Sequence, residues 1–116
     1  MLTPEDIAHY HEHGYVVPGW RMPEGQLQAM RAAAEVMQAA NPQYADLHPA
    51  LLEEVEPWLT FGKTEGMLAM VCQLIGEDVI LWSSGFFGKP AHVGKATPWH
   101  QDGEYWPIRP LANCTA

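Results

Sequence analysis

Apolar residues recur at helical spacing in three stretches of the chain and crowd together without that spacing in a fourth. The first stretch announces itself by its start. Thr3 is a natural N-cap, Pro4 suits the first helical position, and Asp6 sits where a capping-box acid belongs. Leu2 and Ile7 can staple across the cap, Ile7 and Tyr10 share a face, and Gly14 marks the stop. The spacing predicts a helix over 4–13, then a short strand at Tyr15-Val16-Val17 that Pro18 ends. In the second stretch Leu27, Met30, Ala34 and Met37 recur among abundant alanines until Asn41-Pro42, which predicts a helix over 23–40 with its methionines in the core. In the third, Met67, Leu68, Val71, Leu74 and Ile75 share one side and Gly76 follows, predicting a helix over 64–75.

The fourth stretch, Val79-Ile80-Leu81-Trp82, is apolar at every position. That is the pattern of a strand covered on both faces, so 78–87 is expected to be central and buried. Residues 88–96 have no periodicity and read as a loop; a second strand is expected over 97–102, and 113–116 looks like the beginning of another. Between the second and third helices, 43–61 is poorly legible. Pro49 and Pro57 interrupt it, Glu53, Glu54 and Glu56 read as a solvated face, and a helical turn after Pro49 is compatible with the sequence. Helices precede strands, which makes the fold class α+β.

Composition narrows the functional classes. Six Lys and Arg against fourteen Asp and Glu give a net charge of −8, which argues against a nucleic-acid surface. No apolar run is long enough to cross a bilayer, and the acidic N-terminus does not resemble a signal peptide. Cys72 and Cys114 lie far apart without a metal or redox spacing, as expected of free thiols in a reducing cytoplasm. His9, His11 and His13 alternate along the first helix. Side chains two positions apart on a helix diverge by about 200°, so the three cannot converge on one ion. Histidines near a helix C-terminus interact well with its dipole, a sufficient reason for their position.

The chemistry is concentrated in Thr97-Pro98-Trp99-His100-Gln101-Asp102-Gly103-Glu104-Tyr105-Trp106-Pro107. On an extended backbone, positions i and i+2 point the same way. His100 and Asp102 can therefore offer an imidazole nitrogen and a carboxylate oxygen to one metal ion. They are two parts of a 2-His-1-carboxylate site, the arrangement that holds non-haem Fe(II) with open positions. Alone, His-x-Asp is a weak signal that occurs often by chance, and its ordinary reading is a surface loop with two solvated polar groups. Its surroundings are more specific. Phe86-Phe87-Gly88-Lys89-Pro90, a loop, Trp99-His100-Gln101-Asp102 and Tyr105-Trp106-Pro107 follow in order. This run resembles the phytanoyl-CoA dioxygenase family of Fe(II)/2-oxoglutarate oxygenases, closely over 81–110 and more loosely over the N-terminal helices.

The resemblance implies a double-stranded β-helix, or jelly roll, with the helical part at about 1–76 and the first jelly-roll strands at about 77–116. It implies Fe(II) and 2-oxoglutarate as cofactors, His100 and Asp102 as metal ligands, and hydroxylation of a small-molecule substrate. Ser84 and Lys89 are candidates for binding the cosubstrate or another anionic group, and Trp99 and Tyr105 for lining the substrate pocket. Gln101 is expected to face away from the metal. An aspartate at the ligand position argues against halogenation, because halogenating relatives carry a small residue there. One departure matters: the family's second metal histidine lies far downstream, and no histidine follows His100 here. The basic residue that pairs with 2-oxoglutarate is expected near that histidine and is likewise missing.

The expectation is therefore an N-terminal portion of such a domain, inactive alone, with an exposed sheet edge through which it could self-associate. Two other classes stay open: a non-catalytic binding or interaction module of the same fold, and a cupin-like metalloprotein that does not use 2-oxoglutarate.

Overall fold

Trp58 is the most deeply buried of the core side chains, with 4% of its surface exposed, and the helices are arranged around it. The computed structural model describes residues 1–42, 47–48, 55–89, 91–110 and 112–116. In chain order these form α1 (Pro4–His13), α2 (Glu24–Ala40), β1 (Leu47–His48), α3 (Val55–Gly62), α4 (Glu65–Ile75), β2 (Phe86–Phe87) and one 3-10 turn (Asp102–Glu104). α1, α2 and α4 lie where the apolar spacing predicts them, within a residue at each end.

α1 begins as its sequence dictates. Thr3 Oγ1 accepts from the Asp6 amide at 3.1 Å while Asp6 Oδ2 accepts from the Thr3 amide at 2.9 Å. Two of the amides that a helix start leaves without a partner are thereby satisfied. At the other end Gly14 adopts φ 80°, a left-handed conformation that costs glycine little, and its N–H donates to Tyr10 O at 2.7 Å. The N-terminus is tied down by a side chain far along the chain. Gln73 of α4 accepts from the Leu2 amide at 2.8 Å and donates to the Leu2 carbonyl at 3.1 Å, and the Leu2 side chain is buried. α1 thus packs on α4.

α2 packs on α3. Met37 of α2 meets Trp58 and Phe61 of α3, with Met30, Ala33 and Ala34 around them, so the methionine spacing does mark core positions. The Trp58 and Phe61 rings meet edge to face, their centroids 5.6 Å apart. α3 was the element least visible in the sequence. Glu56 is extended (φ −116°, ψ 140°), so regular helix is confined to the residues after it, a stretch shorter than the window periodicity needs. Thr64, between α3 and α4, is a buried polar residue whose hydroxyl is satisfied on both sides. It donates to Phe61 O at 2.6 Å and accepts from Gln26 Nε2 of α2 at 2.5 Å. Trp20, ahead of α2, lies on Gly66 of α4, where a Cβ would come within 2.7 Å of Trp20 Cε2.

The strand expectations need correction. Of 78–87, only Phe86–Phe87 is strand, pairing antiparallel with Leu47–His48; residues 78–85 follow no regular structure, and neither do 15–18 or 97–101. Nor is the apolar run buried: Ile80 is 83% exposed, and Leu81 and Trp82 are also exposed. The cause is that a strand exists only through its partners. A stretch apolar on both faces needs a cover on each. Among the described residues Val79–Trp82 has no strand partner, the one two-residue pairing falling on Phe86–Phe87, and Leu81 lies over Gly62 of α3. Phe86 is the anchor of this half of the chain, its ring edge-to-face on Trp58 at 5.0 Å.

Two stability outcomes follow. Trp58→Ala should cost about 3–5 kcal/mol, as truncation of a buried aromatic does, whereas Val36→Ala, at an exposed site on the same helix pair, should stay within about 0.5 kcal/mol. Urea unfolding of the two variants measures the contrast. Gly66→Ala should destabilise by about 1–3 kcal/mol because the methyl enters the Trp20 indole. Gly25→Ala, inside α2 with open space around it, should instead stabilise by about 0.4–1 kcal/mol.

Candidate metal centre

The 97–105 segment is held by local hydrogen bonds rather than by a sheet. Gln101 is extended (φ −115°, ψ 122°), and its carbonyl then caps a 3-10 turn, accepting from Glu104 N at 3.1 Å; Asp102 O accepts from Tyr105 N at 3.0 Å. A single extended residue between His100 and Asp102 is enough to keep their side chains on one side. His100 Nε2 lies 3.1 Å from Asp102 Oδ1. His100 and Asp102 therefore share one side of the backbone without a strand to hold them there.

The hydrogen-bond partners define the state of the imidazole. His100 Nδ1 is 2.8 Å from Pro98 O. A carbonyl only accepts, so the proton is on Nδ1 and the Nε2 lone pair is left facing the carboxylate. Two acceptors 3.1 Å apart repel one another unless a cation lies between them, either a proton or a metal ion. Ligands with bonds of about 2.0–2.2 Å at right angles stand about 2.8–3.1 Å apart, so the observed separation suits two adjacent positions on one ion. The donor set, imidazole plus carboxylate, suits Fe(II), Mn(II) or Co(II). Among the described residues no third His, Cys, Asp or Glu joins the pair, and His92, in the preceding loop at φ 69°, is not brought to it.

Asp102 has a second partner that the sequence did not suggest. Thr115 Oγ1 donates to Asp102 Oδ2 at 3.4 Å, bringing the C-terminal residues against the site. The same residues reach α1, where Cys114 lies beside Tyr10. Burial first, then the charge and hydrogen bond of the Cys114 thiol, push the Tyr10 phenol above its ordinary value. Tyr105 meets the His100 ring edge to face at 6.2 Å and is otherwise exposed. Trp99 is fully exposed and lines no wall of the pair. Ser84 is half-buried, and among the described residues no hydrogen bond joins it to His100 or Asp102. Lys89 lies on a pocket of about 200 Å³ that also takes in Lys95 and Pro98. Of the helix histidines, His9 and His13 meet at a tilt, their ring centroids 4.4 Å apart, beside Tyr15, and make no metal cluster among the described residues.

The sequence model of the phytanoyl-CoA dioxygenase (PhyH) family matches residues 10–116, nearly the whole chain. The chain belongs to the phytanoyl-CoA dioxygenase family. The match covers the last turn of α1, the later helices and the His-x-Asp segment, and it makes this chain a member of an oxygenase family. No curated protein and no solved structure matches it significantly. Among the described residues no helix is long and apolar enough to cross a membrane.

Membership does not by itself report on Tyr10, but the contact with Cys114 does. The folded state holds the Tyr10 proton more tightly than the unfolded chain does. Stability from this contact is therefore complete below the ordinary tyrosine value of about 10 and is lost as pH rises through the higher folded value. Thermal melts at increasing alkalinity should fall more steeply for the wild type than for Tyr10→Phe.

Proposed function

We propose that this phytanoyl-CoA dioxygenase family member is an Fe(II)/2-oxoglutarate-dependent dioxygenase that hydroxylates a small molecule, with His100 and Asp102 as two of the protein's three metal ligands. The observation that carries the reading is the Nε2–Oδ1 pair at 3.1 Å with Nδ1 committed to Pro98 O. When bound, iron and 2-oxoglutarate supply the oxidising chemistry. The chain's residues do the positioning. Pro98 fixes the tautomer and the plane of the ring, which keeps the Nε2 lone pair available. Thr115 holds the second carboxylate oxygen and leaves Oδ1 to the ion. The carboxylate at position 102 occupies the place a halide would need, which favours hydroxylation.

Water exclusion is the part that the described residues do not provide. The side chains of His100 and Asp102 are 42% and 46% exposed, and oxygenase chemistry needs a covered site. With two ligands and this exposure, the 116-residue chain is expected to bind metal weakly and to show no 2-oxoglutarate turnover alone. The jelly-roll fold belongs to the same proposal: β2 and the extended segments on either side of it are where its strands would run.

Anaerobic titration of Fe(II) with 2-oxoglutarate tests this in the protein with its third ligand, because the chelate absorbs in the visible. The band should appear and should be lost on His100→Ala or Asp102→Ala. Metal affinity should fall by more than the roughly 10–100-fold that loss of a supporting partner costs. Metal binding indifferent to 2-oxoglutarate would favour a cupin-like protein. No metal binding, with His100→Ala silent, would leave a non-catalytic module.

A further inference from the structure

Lysine is scarce in this chain, and two of its three lysines share one pocket. The sequence has Lys63, Lys89 and Lys95 in a chain of net charge −8. Lys89 and Lys95 both line the pocket of about 200 Å³, together with Phe87, Thr97 and Pro98. Neither lysine pairs with a carboxylate among the described residues, where the close contacts to acids are made by histidines, His13 to Glu12 and His100 to Asp102. Two lysine side chains beside one small pocket give it a positive potential that an anion would lower. Elsewhere the acidic surface repels anions, so this patch is where a small anion gains most from binding.

The pocket also has a fixed relation to the metal pair. Pro98 lines it, and the Pro98 carbonyl is the group that takes His100 Nδ1 at 2.8 Å. The pocket thus adjoins the Nδ1 side of the ring, whereas the ion would sit on the Nε2 side, towards Asp102. A cosubstrate that chelates the ion approaches from the latter side.

We infer that the Lys89–Lys95 pocket holds an anionic group of the substrate, a carboxylate or a phosphate, at a point remote from the carbon that reacts. The inference rests on the oxygenase reading above for the word substrate, and on the pocket alone for the anion. It makes the substrate an organic acid or a phosphate ester rather than a neutral or cationic molecule. Anchoring a remote charge lets binding energy be used to orient the reacting end. Phe87 gives the pocket an apolar wall beside the charges, as suits the carbon next to such a group.

The test uses inorganic phosphate and acetate as probes, titrated into the 116-residue chain at constant ionic strength and followed by the amide resonances of Lys95 and Thr97. Saturable shifts are expected with at least one probe, and the tighter probe identifies the substrate's group. Lys89→Gln and Lys95→Gln should each weaken binding about fivefold or more and together abolish it, while Lys95→Arg should retain it. Lys63→Gln is the control and should change nothing. All the substituted lysines are exposed, and circular dichroism melts confirm that the variants fold. An unchanged affinity in Lys95→Gln, or an equal loss in Lys63→Gln, overturns the inference. So does displacement of phosphate by 2-oxoglutarate without metal at least tenfold more tightly than by acetate or succinate, which would give the pocket to the cosubstrate. His100→Ala separates the two readings. It should leave phosphate binding intact while removing Mn(II) binding. Phosphate binding to the short chain, with no Mn(II) binding even in the protein that carries the third ligand, would sink the oxygenase reading and spare the anion site.

Discussion

The edge-to-face contact between Trp58 and Phe86 joins the two halves of this chain. Trp58 is the centre of the helical core, and Phe86 is the last residue before the site segment that is packed into that core. Aromatic pairs of this kind gain both buried area and a favourable ring orientation. Downstream of Phe86 the chain is largely exposed, and its order comes from short-range hydrogen bonds and a few returning contacts. On the upstream side, the position of the candidate metal pair relative to the helices thus rests on one ring held against another.

Within the site segment, a second constraint has the same character. The Pro98 carbonyl takes one nitrogen of His100 and so decides what the other nitrogen can do. A lone pair held against a carboxylate calls for a cation, and the separation matches adjacent ligands on one ion. Thr115 then brings the C-terminal residues to Asp102, while Cys114 carries the same residues to Tyr10 of α1. The site is tied back to the first helix by residues from the far end of the chain, which gives α1 a part in the site that its own sequence does not suggest.

The same segment carries positive charge on one side of the imidazole and an acid on the other. Lys89 and Lys95 lie on the pocket adjoining Pro98, and Asp102 lies across the ring. In a strongly acidic chain this separation of charge makes the two sides of the imidazole chemically distinct.

The sequence by itself determined α1, α2 and α4 and the identity of the pair. The capping box at Thr3 and Asp6, the stop at Gly14 and the methionine spacing of α2 are local signals, and helices are stabilised by contacts within a few residues, so local signals suffice. His100 and Asp102 were legible because one extended residue sets their relation, with no help from distant parts of the chain. The strands were not determined in this way. Val79-Ile80-Leu81-Trp82 is apolar enough for a buried strand, but burial and pairing are supplied by other segments, and only Phe86–Phe87 finds a partner among the described residues. α3 was hidden by its shortness and by the extended Glu56. Thr115 on Asp102, Cys114 on Tyr10 and the sharing of one pocket by Lys89 and Lys95 were decided by the tertiary structure alone. These contacts bridge a loop or a long span of sequence, and no spacing rule encodes a contact that depends on where the intervening chain travels.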